Sequence, residues 1–175
     1  MKSLTEQLTN YAAYHRDRRN IATHLVGVPM IVFSVVILLA RPAIEVAGLS
    51  VTPAIAALIA AGIYYLLLDL SLGLGLVVVI GAMAWVGQIV AAASTPTWLM
   101  VGIGMFIVGW IIQFIGHYYE GRKPAFVDDI LGLLIGPLFV LAEVVFMLGG
   151  RRGLKAAIEA RVGPTLLRDA RSSAI

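Results

Sequence analysis

Along this chain apolar residues come in long unbroken runs rather than in alternation. Such runs cover about Ile21 to Ala40, Val51 to Leu70, Leu72 to Ala93 and Trp98 to Gly116, each near the roughly 20 residues that a bilayer span needs. Only helices or closed barrels cross lipid, and barrel strands alternate, so continuous runs predict helices. A fifth run, about Asp128 to Leu148, opens on Asp128-Asp129, contains Gly136-Pro137 and carries Glu143. Proline removes a helix hydrogen bond and kinks the chain. The pattern therefore predicts an all-α, multi-pass transmembrane helical bundle. It has four full spans plus a fifth segment broken or re-entrant at Gly136-Pro137, with a kinked full span as the alternative. Interfacial helices are expected at both ends. One covers about Leu4 to Asp17. The other is a basic amphipathic tail in which Leu154, Ala157, Ile158 and Arg161 recur at helical spacing before a break at Gly163-Pro164. The expected organisation is a membrane-embedded domain over 1–150 and a tail over 151–175.

Composition agrees. Of 175 residues, 60% are hydrophobic and 13% charged, against roughly 25% charge in an ordinary soluble domain. A compact globule of this length cannot hide so much apolar area. There is no cysteine, which excludes disulfides, thiolate nucleophiles and cysteine-held metal clusters. The first run follows a 20-residue charged stretch and exceeds the apolar core of a signal peptide, so an uncleaved first span is expected.

The thirteen Lys and Arg residues give the orientation. Lys2, Arg16, Arg18 and Arg19 precede the first span, Arg122 and Lys123 follow the fourth, and six more fill the tail from Arg151 to Arg171. Basic flanks favour the cytoplasmic side. A re-entrant fifth segment keeps twelve of the thirteen there, with Arg41 the exception. The positive-inside pattern accounts for the net charge of +3 better than nucleic-acid binding does, and no nucleic-acid partner is expected.

Polar chemistry gathers at that same face. The chain has three histidines, His15, His24 and His117. This topology puts all three at the cytoplasmic end of the bundle. Imidazole is the commonest protein ligand for divalent transition metals, and polar groups at membrane depth are costly. His15 and His24 are nine residues apart, about 900° on an unbroken helix, hence on opposite faces. They share an ion only if the chain bends between them, and Asn20, a good N-cap residue, marks that bend. Gln113, His117 and Glu120 fall at i, i+4 and i+3 spacing on one helix face. Glu120 is either a fourth ligand or a partner that orients a histidine; a surface ion pair with Arg122 or Lys123 is the plain alternative. Asp69 reads first as a turn or cap residue, and Glu143 as the partner of a tail arginine. No phosphate-binding glycine loop, dinucleotide fingerprint or serine nucleophile motif is present. Gly73-x-Gly75 and Gly102-x-Gly104 lie inside apolar runs and read as packing glycines. Di-iron membrane hydroxylases need many more histidines than three.

Two motifs, Tyr14-His15…Asn20…His24…Gly27…Pro29 and Gln113…Gly116-His117…Glu120…Pro124-Ala125, resemble the Mpo1-like family over most of the chain, to about Leu148. The resemblance implies an Fe(II)-dependent dioxygenase acting in α-oxidation of 2-hydroxy fatty acids, giving an acid one carbon shorter with O2 as co-substrate. It implies that His15, His24 and His117 bind the iron and that Tyr14, Asn20, Gln113 and Glu120 serve the same site. It also implies an integral multi-pass protein, in the endoplasmic reticulum of a eukaryote or the inner membrane of a bacterium, whose site faces the cytoplasm. Arg16, Arg18 or Arg19 is expected to pair the substrate carboxylate. A homo-oligomer is left open. The alternative is a non-catalytic membrane lipid-binding or assembly protein. A transporter using Glu143 and Asp69 ranks third, since no inverted repeat is visible.

Overall fold

The protein's structure, a computed structural model, describes residues 2–47 and 49–167. Arg168, Arg171 and the rest of the expected tail after Leu167 lie outside the described residues. The described chain is helical apart from one short hairpin. It forms two compact units, Met1–Val28 with Ile111–Ile175, and Pro29–Trp110.

In the first unit, α1 (Leu4–Ala12) opens with a reciprocal cap. Ser3 Oγ accepts from Glu6 N, and Ser3 N donates to Glu6 Oε2 at 2.8 Å. Its Leu8 and Ala12 are fully buried, and it packs against α6 (Leu131–Met147) and α7 (Arg152–Val162). After a short turn the chain enters α2 (Arg18–Ala40), which contributes to both units. The cap there is Asp17, not Asn20: Asp17 Oδ1 accepts from Arg19 N at 2.8 Å. The long α5 (Thr95–Glu120) ends in this unit, where Gly121 at φ 67° takes the left-handed conformation that stops a helix.

The expected break at Gly136-Pro137 is absent. α6 runs through Pro137, held by a buried stripe of Ile135, Leu138, Phe139, Ala142 and Phe146. Apolar packing of this kind outweighs the single hydrogen bond that proline deletes. The break comes at residues 148–151. Gly149 (φ 80°) follows the helix, Gly150 N donates to Val145 O and Gly149 N to Phe146 O, forming a Schellman stop. α7 then departs at 114° and buries Ile158. The helix expected in the tail is thus present over Arg152–Val162, ending at Gly163.

In the second unit, a hairpin unexpected from the sequence pairs β1 (Ile44–Val46) with β2 (Leu49–Val51), Ile44 opposite Val51. Then α3 (Pro53–Leu68) and α4 (Leu70–Ala91) pack together. Asp69 ends one and caps the other, accepting from Ser71 N and Leu72 N. This bears out its reading as a cap. A Cβ at Gly73 would meet the Tyr65 backbone, so glycine is what lets the two helices approach there.

Among the described residues three helices, α2, α4 and α5, are long and apolar enough to cross a membrane, and the bent pair α6–α7 makes a fourth if counted as one span. α3, expected as a full span, has 16 residues, or about 24 Å of helix against a hydrocarbon core of roughly 30 Å. Large apolar side chains such as Leu67, Leu70 and Trp85 are more than two-thirds exposed, a surface suited to lipid rather than water.

Candidate metal centre

The three histidines come together. His15 sits in the turn between α1 and α2, His24 in the second turn of α2, and His117 in the last turn of α5. All are buried, and one ligand atom from each lies within 4.8 Å of the others. The ring centroids are 4.4, 5.0 and 5.1 Å apart.

Backbone carbonyls set the tautomers. His15 Nδ1 lies 2.7 Å from Tyr11 O, and His24 Nδ1 lies 2.8 Å from Asn20 O. A carbonyl only accepts, so each Nδ1 carries the proton and each neutral Nε2 presents a lone pair. The two Nε2 atoms are 2.9 Å apart. Two lone pairs at that distance repel unless something positive lies between them. A proton is disfavoured, because burial, and after it the neighbouring His24, pushes the His15 imidazole well below its ordinary pKa. A cation between them would satisfy both lone pairs, and neutral imidazole nitrogens are donors that divalent transition metals take. The donor set therefore fits a divalent transition metal.

The surroundings fix this geometry. Tyr11 stacks on His15 with centroids 4.2 Å apart and planes 6° apart, and Phe139 covers the same ring at 5.5 Å. A Cβ at Gly116 would collide with Thr23 Oγ1 and Asn20 Oδ1. Glycine there lets α5 pass close to the start of α2, next to His117. Glu120, 1% exposed, is not among the clustered ligand atoms. Its carboxylate accepts from Arg16 N at 2.9 and 3.0 Å, Asp17 N at 2.7 Å and Asn20 Nδ2 at 3.1 Å. It grips the backbone of the turn that carries His15.

A profile of the Mpo1-like family, described as "2-hydroxy-palmitic acid dioxygenase Mpo1-like", matches residues 1–148. The chain belongs to the Mpo1-like family. It is 34% identical over 160 residues to a Saccharomyces cerevisiae protein named 2-hydroxy-palmitic acid dioxygenase MPO1, covering 89% of this chain and 87% of that relative. No solved structure matches it.

The other residues of the two Mpo1-like motifs are placed as follows. Asn20 links the turn to Glu120 and, through its side-chain amide, to Tyr14 O at 3.2 Å. The Tyr14 hydroxyl donates to Asp128 Oδ2 at 2.8 Å, which puts it at the start of α6 rather than in the ligand cluster. Gln113 is buried one turn before His117, its Oε1 without a hydrogen-bond partner among the described residues. Lys123 pairs with Asp128, and Arg122 donates to Ala13 O. Arg16, 3% exposed, directs its guanidinium to the carbonyls of Ala12, His15 and Gly163. Arg19 forks onto Asp17 and lies over Tyr119. Arg18 is exposed. Glu143, expected to meet a tail arginine, has Arg16 and Lys155 as cationic neighbours. Sequence reasoning missed Tyr11 and Phe139. Tyr11 stands four residues before His15, one helical turn away, which was the available signal.

Proposed function

We propose that this protein is a membrane-embedded, Fe(II)-dependent oxygenase that shortens 2-hydroxy fatty acids by one carbon. The observation that carries the reading is the pair of Nε2 atoms 2.9 Å apart, each on a ring whose Nδ1 faces a carbonyl, beside a third buried imidazole. The family and the yeast relative's name support the substrate class. His15, His24 and His117 would hold the iron, leaving positions open for other ligands. The metal supplies the redox activation of O2 that no side chain provides. The Nδ1–H bonds to Tyr11 O and Asn20 O keep His15 and His24 in the binding tautomer. Tyr11 and Phe139 keep water from the His15 side. Glu120 and Asn20 act as positioning residues on the turn, and the basic flanks set this end of the bundle at the cytoplasmic face.

Overall the reaction balances as 2-hydroxy acid plus O2 giving the acid one carbon shorter, CO2 and water, with no external reductant. In purified protein, metal analysis should find stoichiometric iron that a chelator removes. An oxygen electrode should register uptake dependent on 2-hydroxypalmitic acid, with pentadecanoic acid and CO2 formed in equal amounts. His15→Ala, His24→Ala and His117→Ala should each abolish iron binding and uptake while the protein stays helical. Acid-dependent O2 uptake that persists in all three variants would defeat the proposal. So would an iron-reconstituted wild type that consumes no O2.

A further inference from the structure

Between α1 and the start of α6 lies a cleft of about 300 Å³, near the lower end of ligand-binding pockets, roughly 300–1,000 Å³. Its buried lining is mostly apolar, with Tyr11, Ala125 and Ile135 beside the one buried amide of Gln7, and its exposed and half-buried edge carries Tyr14, Asp128 and Asp129. Tyr11 belongs to two places at once. One part of the side chain lines the cleft, and one face of the ring lies flat on His15. A single aromatic ring thus stands between the cleft and the clustered imidazoles. Gly136 leaves room behind it, since a Cβ there would come within 3.0 Å of the Tyr11 hydroxyl.

The rim charges give a direction. Asp128 is held by Tyr14 and Lys123, and Asp129 Oδ1 accepts from Leu131 N. With Asp128 balanced by Lys123, the carboxylate of Asp129 at the mouth disfavours an acid head group there by like-charge repulsion, and favours a ligand whose charged end lies at the inner, Tyr11 side. The segment bordering the mouth carries exposed Val127 and Ile130, an apolar path for a hydrocarbon tail toward lipid. The narrow volume suits a stretch of one alkyl chain, not the paired chains of a diacyl lipid.

We propose that this cleft holds the acyl chain of the 2-hydroxy acid and that Tyr11 is the partition between chain and histidines. The head group reaches the imidazoles when the Tyr11 ring turns off His15. The assignment rests on the oxygenase reading above for the identity of the acid.

Gly132 lines the cleft in the first turn of α6. Replacing it with a larger helix-forming residue fills the cleft without opposing the helix. Gly132→Leu should keep its iron and raise KM for 2-hydroxypalmitic acid roughly tenfold or more, as loss of a few methylene contacts does. Gly132→Ala should fall between it and wild type. A 2-hydroxyhexadecanoic acid carrying a mid-chain diazirine should label residues 10–14 and 125–135 of wild type, and that labelling should fade in Gly132→Leu. Labelling elsewhere, or an unchanged KM in Gly132→Leu, overturns the cleft assignment while leaving the oxygenase reading intact. If wild type oxidises no 2-hydroxy acid, the oxygenase reading falls and the labelling alone decides the cleft.

Discussion

Glu120 commits its carboxylate to main-chain and amide donors of the turn bearing His15. Glu120→Ala would leave the Arg16 and Asp17 N–H groups and the Asn20 amide buried without that acceptor, at about 1–3 kcal/mol for each group left unsatisfied. Melting of chelator-treated Glu120→Ala should therefore occur well below that of chelator-treated wild type. Iron affinity should fall roughly 10–100-fold, as when a group supporting metal ligands is lost. Glu120→Gln, which keeps one acceptor oxygen, should fall between. If Glu120 were a ligand instead, the metal-free melting temperature would not move. The i, i+3 relation of Glu120 to His117 was legible in the sequence; the choice of Asp17 over Asn20 as helix cap was not. Both are good capping residues, and nothing local ranks them. The choice follows from the Asn20 amide bonding to Glu120, a hundred positions away.

Hydropathy located the helices well and their interruptions poorly. α2, α4 and α5 coincide with predicted runs, because apolar residues in continuous array leave the backbone no partner but itself in lipid. The position of the α6 break was misread because proline is the stronger local signal. Its missing N–H costs one hydrogen bond inside a packed helix, whereas Gly149 adopts a left-handed φ that a side chain resists. The two sites should respond oppositely. Pro137→Ala should leave the melting temperature unchanged or higher, since alanine restores the donor. Gly149→Ala should lower stability by about 1 kcal/mol, read as a fall in melting temperature with iron content retained. Equal effects at both positions would mean that the stop does not depend on Gly149. The short α3 has a different cause: Asp69 marks its C-terminal end as the sequence suggested, but the chain before Pro53 pairs as a hairpin strand, Leu49–Val51, where an apolar run alone reads as helix.

Across the whole first unit, the turn bearing His15 is held from three directions. α1 supplies Ala12 O to His15 N, α5 supplies Glu120, and a segment after α7 returns to pair with the turn. Leu166 N donates to Arg16 O and Arg18 N to Leu166 O, each at 3.0 Å, and Arg16 Nη1 donates to Gly163 O. The segment lies beyond the residues matched by the family profile. This pairing was invisible in the sequence because it is made by main-chain atoms, which leave no side-chain signature. The Leu166 side chain is more than half exposed, so its substitution isolates the backbone contribution. Leu166→Pro deletes the N–H that reaches Arg16 O and should weaken iron binding several-fold, with a stability loss of only about 1 kcal/mol. Leu166→Ala, which keeps the N–H, should match wild type in both. Titration of the metal-free proteins with Fe(II) under anaerobic conditions checks this. Equal affinity in Leu166→Pro and Leu166→Ala would mean that α1 and Glu120 alone hold the turn, and that the returning segment only rests against it.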